Sequence, residues 1–249
     1  MPLRAIIFDL YGTLLEVLPP PADAAARWQA LWVTHLGGPP RLDLPGFREA
    51  CRRAVEVAHT AARARGIEHP EVFWPQVVES AVPELLRLPP AARHQLAIYR
   101  ADFLHSTRTR PEAAATLRAA ADAGCVLGLA SNCQPYTLPE LSGALAPFGL
   151  DGGLFDPRLT FLSFEHGFSK PDPHVFQLLT ARLQLLGIVP EDTLMVGDRP
   201  DHDLAPARAQ GWQTCLVGPD ADGGWSAVRA RLPGSLARSV VDAENTPTD

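Results

Sequence analysis

Four short, nearly continuous apolar runs constrain this chain most: residues 4–9 (RAIIFD), 125–130 (CVLGLA), 193–196 (TLMV) and 213–217 (QTCLV). A strand with one wet face alternates apolar and polar residues. A run without alternation belongs in a sheet covered on both faces. Residues 158–164 are a weaker candidate of the same kind. Helical stretches lie between these runs. Residues 111–123 stop at Gly124. Residues 173–186 open with proline at a permitted helix start and stop at Gly187, and residues 203–210 stop at Gly211. Strands alternating with helices predict an α/β fold with a doubly wound parallel sheet.

Residues 17–108 break the alternation and carry helical periodicity alone, over 21–36, 45–65, 70–88 and 89–106, with proline at most boundaries. This segment reads as an all-helical module inserted between the first two strands. Residues 1–16 and 109–249 are left as the core. The polar stretch 242–249 reads as a frayed end.

Composition narrows the classes. With 249 residues and 46% hydrophobic content, the chain suits one large domain or a core with a smaller module, and not a disordered chain. No apolar run is long enough to span a bilayer, and no cleavage-site pattern follows the apolar start. A net charge of −6 argues against a nucleic-acid partner. The four cysteines form no CxxC pair, which favours a reducing, cytoplasmic setting over a zinc site or disulfides. Of the 22 basic residues only Lys170 is lysine.

In open parallel sheets, ligands bind beyond the carboxyl ends of the strands. The first strand ends in Asp9-Leu10-Tyr11-Gly12-Thr13, the second in Ser131-Asn132, and the strand at 193 in Gly197-Asp198, with Asp203 beyond. Lys170 stands in Ser169-Lys170-Pro171-Asp172-Pro173, just before a helix. A carboxylate can attack a phosphoryl or alkyl centre and form a covalent ester. A second carboxylate nearby repels it unless a hard divalent cation such as Mg²⁺ sits between them. Thr13 and Ser131 can donate hydrogen bonds to transferring oxygens, and Lys170 can neutralise their charge.

These four segments, in this order, resemble the four motifs of the haloacid dehalogenase superfamily of hydrolases. The resemblance covers 1–16 and 109–218, and it accounts for a helical cap after the first motif. It implies Asp9 as nucleophile, Ser131 as the phosphate-binding hydroxyl, Lys170 as the lysine of the third motif, and Asp198 with Asp203 as the acidic pair of the fourth. It further implies Mg²⁺ held by Asp9, the Tyr11 carbonyl, Asp198 and Asp203. Tyr11, Asn132, Ser131 and Lys170 would meet the substrate, with Thr13 assisting.

Two departures bear on the reaction. Phosphatases of this superfamily carry an acid two residues after the nucleophile, where this chain has Tyr11. A positioned acid is worth about 10²–10⁴ in rate, so slow turnover of ordinary phosphate monoesters is expected, and esters with good leaving groups suffer least. Asp-x-Tyr-Gly-Thr instead resembles the metal-independent 2-haloacid dehalogenases. Those enzymes replace the acidic fourth motif by neutral residues, carry an arginine where this chain has Val33 after Ala30-Leu31-Trp32, and a tyrosine where it has Phe176.

The leading expectation is therefore a Mg²⁺-dependent phosphatase acting on a small phosphorylated metabolite, as a monomer or homodimer. The alternatives are a 2-haloacid dehalogenase, and a weakly active or inactive member serving as a binding module. Trp28, Trp32 and Trp74 read mainly as packing between helices, with a substrate pocket as the second reading. The ten arginines from Arg27 to Arg100 read as a solvated face. His166 and His202 are candidate surrogate acids, although a surface role is the plainer reading. Arg199 either meets substrate or pairs with Asp201, and Cys133 reads as a small side chain.

Overall fold

The computed structural model describes residues 2–99, 104–218, 221 and 223–234. In chain order the strands are β1 (Ala5–Phe8), β2 (Glu16–Leu18), β3 (Ser106–Arg108), β4 (Val126–Ser131), β5 (Thr160–Leu162), β6 (Thr193–Gly197) and β7 (Gln213–Leu216). Five of them form a parallel sheet in the order β5-β4-β1-β6-β7. The α/β doubly wound reading holds. All four strong apolar runs are strands, and the weaker one contributes β5, shortened by a 3₁₀ turn before it and a helix after it.

The sheet is covered on both faces, as its unalternating strands require. Ile6 and Phe8 point into one core with Leu117, Leu129, Val196 and Val228. Ala5 and Ile7 point into the other with Phe161, Phe176, Met195 and Trp212. The covering helices are α5 (Pro111–Asp122), α6 (Thr137–Leu145), α7 (Ser163–His166), α8 (Pro173–Leu185), α9 (Ala205–Ala209) and α10 (Gly224–Ala230), preceded in the chain by α1 to α4. The helix expected over 203–210 is split. Pro200–Leu204 forms a π-helical turn, and α9 starts only after it. The wider turn carries Asp203 inward, and π-turns of this kind concentrate at functional sites.

Between β1 and β4 lie α1 (Ala24–Leu36), α2 (Leu44–Arg63), α3 (Trp74–Ala81) and α4 (Pro90–Tyr99). They share a separate core of Trp28, Trp32, Phe47, Val78 and Leu85. Two expectations need correction. The segment is not helical throughout, because β2 and β3 pair antiparallel where the chain leaves and re-enters, with Arg108 bonded to Glu16 at 2.8 Å. Three-residue strands are too short to show a period of two. The helix expected over 70–88 is also interrupted. Residues 70–73 are non-helical, and Pro83 starts a separate 3₁₀ turn. Arg100 and the stretch 242–249 lie outside the described residues. No helix among the described residues is long and apolar enough to cross a membrane.

Candidate active site

The three central strands β4, β1 and β6 end side by side, so their carboxyl-terminal loops must share one space. The Asp9 amide donates to the Val196 carbonyl at 2.9 Å, carrying the β1–β6 ladder one residue further. Gly12 turns back with φ +86°, and a Cβ there would come within 2.2 Å of Asp198 Oδ2. A Cβ on Gly197 would meet Asp203 Oδ2 at 2.4 Å. Both glycines are thus demanded by carboxylates packed against bare backbone.

Carboxylate oxygens of Asp9, Asp198 and Asp203 lie within 4.8 Å of one another. Lys170 reaches this cluster from the loop after α7. Its Nζ donates to Asp9 Oδ1 at 2.7 Å and to Asp203 Oδ1 at 2.5 Å, and the side chain is buried. Asp203 Oδ2 accepts from the Arg199 amide at 3.0 Å. Both Asp203 oxygens therefore accept hydrogen bonds, which makes Asp203 the anchor of Lys170 as well as a member of the acidic cluster. Asp9 Oδ2 and Asp198 Oδ1 are buried without a hydrogen-bond partner among the described residues.

Three carboxylates face one ammonium, so negative charge is in excess. Burial pushes Asp9 up, Lys170 pulls it back, and Asp203 and Asp198 push again, leaving it at about 6. Burial and Asp203 also raise Asp198. Burial opposes the charged Lys170, but Asp9 and Asp203 outweigh it and hold its pKa above the ordinary value. A carboxyl whose folded pKa is raised stabilises the fold below its unfolded pKa, and that contribution is lost as pH rises through the folded value. With divalent cations chelated, the wild type is expected to lose stability to urea between pH 4 and 6 relative to Asp9→Asn, which lacks this titration. Parallel pH profiles of the two proteins would contradict the raised carboxyl.

Around this centre, the hydroxyls of Thr13 and Ser131 are buried without a hydrogen-bond partner among the described residues. The Asn132 side chain, expected to meet substrate, bonds the backbone of Lys170. Its Oδ1 accepts from the Lys170 amide at 2.7 Å and its Nδ2 donates to the Lys170 carbonyl at 2.8 Å. The amide clamps the lysine's backbone. The Tyr11 side chain also turns elsewhere. Its hydroxyl donates to Glu140 Oε2 at 2.6 Å and lies 2.7 Å from Thr137 Oγ1. Burial and Glu140 raise its pKa further, so this phenol does not replace the missing acid. Glu140 Oε1 also lies 2.8 Å from His105 Nε2, and the His105 ring stands edge-on to Tyr11. Thr137, Glu140 and His105 carry no motif that a sequence reading could have found.

The remaining features take their plain readings. His166 stacks on Phe161, and His202 pairs with Asp201. Arg199 bonds Asp201 with two nitrogens. Burial pushes the Cys133 thiol up to about 12, which makes it inert. Trp28 and Trp32 are core residues, and Trp74 packs against the same cluster. Arg41, Arg52 and Arg53 pair with glutamates at the surface.

A doubly wound sheet with an acidic, lysine-bridged centre at its switch point defines an α/β protein whose candidate site lies where ligands of open parallel sheets bind. The sequence matches the family model of the haloacid dehalogenase-like hydrolases over residues 3–211, and the chain belongs to that family. It is a hydrolase of the haloacid dehalogenase superfamily. Over 108 residues it is 37% identical to the phosphoserine phosphatase of Thermus thermophilus, covering 43% of this chain and 39% of that protein. Over 95 residues it is 35% identical to the rhythmically expressed gene 2 protein of Drosophila melanogaster, covering 37% of this chain and 33% of that protein. The matches thus span well under half the length of these curated relatives. Among solved structures, it resembles a haloacid dehalogenase family enzyme from Bacteroides thetaiotaomicron, with a TM-score of 0.56, 16% identity and coverage of 92% of this chain and 98% of that one. A 2-haloacid dehalogenase from Pseudomonas syringae pv. tomato gives 0.51, 20% identity and coverage of 95% and 99%. These two likenesses speak to the fold.

Proposed function

We propose that the chain is a Mg²⁺-dependent phosphatase of small phosphorylated molecules, with Asp9 as nucleophile. The observation that carries the reading is the pair of unpartnered buried oxygens, Asp9 Oδ2 and Asp198 Oδ1, in a cluster with excess negative charge. Buried carboxylate oxygens without donors are costly unless a cation meets them, and an all-oxygen donor set suits Mg²⁺. Asp9, Asp198 and the Tyr11 carbonyl would hold the ion. When bound, it would supply charge neutralisation between the carboxylates and a phosphoryl group.

The chain's own residues provide the rest. Asp9 is the carboxylate placed to attack phosphorus, with Lys170 holding and orienting it through Oδ1. The new oxygen–phosphorus bond forms as the ester bond to the leaving group breaks, and the leaving oxygen takes the electron pair. Thr13 and Ser131 offer hydroxyl donors to the phosphoryl oxygens. Water then attacks the aspartyl-phosphate at phosphorus, Asp9 departs as a carboxylate, and the proton that the water loses goes to solvent, balancing the unprotonated leaving oxygen of the first step. With the Tyr11 hydroxyl committed to Glu140, the leaving group must depart without a proton from that position. Activated esters are therefore favoured. The similarity to a phosphoserine phosphatase agrees with this chemistry. The helices of the inserted segment would act as a cap governing access.

Excess Mg²⁺, at about one hundred times its dissociation constant, is expected to stabilise the protein by about 2.7 kcal/mol. For a chain of this size that corresponds to about 5–10 °C in Tm. Asp198→Asn should erase the shift, and EDTA should abolish hydrolysis of p-nitrophenyl phosphate by the wild type. No shift at millimolar Mg²⁺, or hydrolysis untouched by EDTA, would remove the cation from this reading.

Tyr11 favours a second reading, metal-independent displacement of halide from a 2-halo acid by Asp9. The surroundings argue against it. Val33 is exposed, Trp32 is buried in the helical core, and Phe176 packs against Trp212 in the sheet's own core. Halide release from 2-chloropropionate in the presence of EDTA would restore it.

A further inference from the structure

We propose that Glu71, from the inserted helical segment, is a positioning residue for Lys170 and Asp9; this rests on the phosphatase reading only for its kinetic consequence. Between α2 and α3 the chain leaves the helical segment and runs along the loops that carry Asn132 and Lys170. Pro70 bridges antiparallel to Phe168, the Glu71 amide donates to Gly167 O at 3.0 Å, and the Ser169 amide donates to His69 O at 2.9 Å. Lys170 follows directly. The inserted segment thus holds the backbone entering Lys170.

The Glu71 side chain secures the second loop. Its Oε2 accepts from Ser163 Oγ at 2.6 Å, and Ser163 Oγ in turn accepts from the Cys133 amide at 2.8 Å. Its Oε1 accepts from Gln134 Nε2 at 2.9 Å and from the Val72 amide at 2.9 Å. Gln134 completes the knot by donating to Val72 O at 2.9 Å and accepting from the Trp74 amide at 2.8 Å. Cys133 and Gln134 directly follow Asn132, whose amide grips both backbone groups of Lys170. The path from Glu71 to the lysine therefore runs through Ser163 to the Cys133 amide, across one peptide bond to Asn132, and by hydrogen bonds to the Lys170 backbone. A half-buried carboxylate facing only donors is costly to place and strongly specifies the geometry around it. Burial raises the Glu71 pKa, and the Ser163, Val72 and Gln134 donors pull it back.

Glu71→Gln keeps the shape, but its amide nitrogen must face either the Val72 and Gln134 N–H donors or Ser163 Oγ, which can accept it only by turning its own proton to the Cys133 carbonyl 3.3 Å away. The lone lysine provides a probe free of overlap. A protein grown with ¹⁵N-lysine shows one backbone amide signal, that of Lys170, whose proton lies on Asn132 Oδ1. Glu71→Gln is expected to move this proton upfield or broaden it away, and Ser163→Ala is expected to do the same. The surface control Glu56→Gln should leave it in place. With p-nitrophenyl phosphate, kcat of Glu71→Gln should fall by about 10- to 100-fold with KM little changed, the scale set by small misplacements of reacting groups. The Glu71→Gln/Ser163→Ala double variant should lose no more than the worse single variant, because both cut one path. If Glu71→Gln fails to fold, Ser163→Ala and Gln134→Ala carry the same readout. An unmoved Lys170 signal in folded variants overturns the proposal, whatever the activity. A moved signal in a protein that hydrolyses no phosphate ester would uphold the positioning role and reject the phosphatase reading.

Discussion

Asp9→Asn is expected to lower kcat for p-nitrophenyl phosphate by at least about 10⁴-fold, the scale seen when the nucleophile of a covalent hydrolase is removed. The amide is close to isosteric, and its oxygen can still accept from Lys170 Nζ, which approaches Asp9 Oδ1 at 2.7 Å. What is lost is the free, unpartnered Oδ2 and its negative charge. The fold should survive, and above pH 6 the variant should be the more stable protein without cation, since it no longer holds a buried charge beside Asp198 and Asp203. Loss of activity with an unchanged far-ultraviolet circular dichroism spectrum would agree with a nucleophile. A phosphoryl adduct trapped on Asp9 of the wild type, seen by mass spectrometry, would establish it. Full activity in Asp9→Asn would overturn the assignment.

Lys170→Arg should be nearly as damaging, although arginine fills all the other basic positions in the chain. Lys170 Nζ sits between Asp9 Oδ1 at 2.7 Å and Asp203 Oδ1 at 2.5 Å, in a space with almost no access to solvent. A compact ammonium can satisfy both oxygens from one point. A planar guanidinium is wider and places its donors in a fixed fork. Forcing it in should cost about 1–3 kcal/mol of stability through overpacking. Misdirecting the donors should cost about 10²–10³ in kcat, the scale of losing one preorganised electrostatic contact. Lys170→Met is expected to be worse for folding, by about 3–5 kcal/mol, because Asp9 and Asp203 are left facing each other without a counter-charge. Thermal melts and kcat on the same preparations separate the two effects. Unaltered kcat in Lys170→Arg would mean that charge alone matters here.

The two glycines of the site show how far local pattern reaches. Gly12 and Gly197 could be read as parts of motifs, but the reason for each is a carboxylate from another segment lying where a Cβ would be. Similarly, Asp203 stands at a recognisable spacing after Asp198. That it anchors Lys170 with one oxygen and the Arg199 amide with the other follows from the π-turn over Pro200–Leu204. Asn132 looked like a substrate contact because it follows Ser131, and the packed structure turns it onto the Lys170 backbone.

By itself the sequence determined the strands of the parallel sheet, several of the helices that cover it, the family and the order of the four site segments. Those features arise from periodic apolar burial and from turn residues acting on their near neighbours, so they are written within a few residues. Only the tertiary structure decided the direction of Tyr11 toward Glu140, the partner of each Asp203 oxygen, and the reach of Glu71 to Ser163 and Gln134. Each of these joins residues far apart in the chain. The direction of a polar side chain is set by whichever donors and acceptors the packed elements bring to it, and no local pattern encodes that encounter.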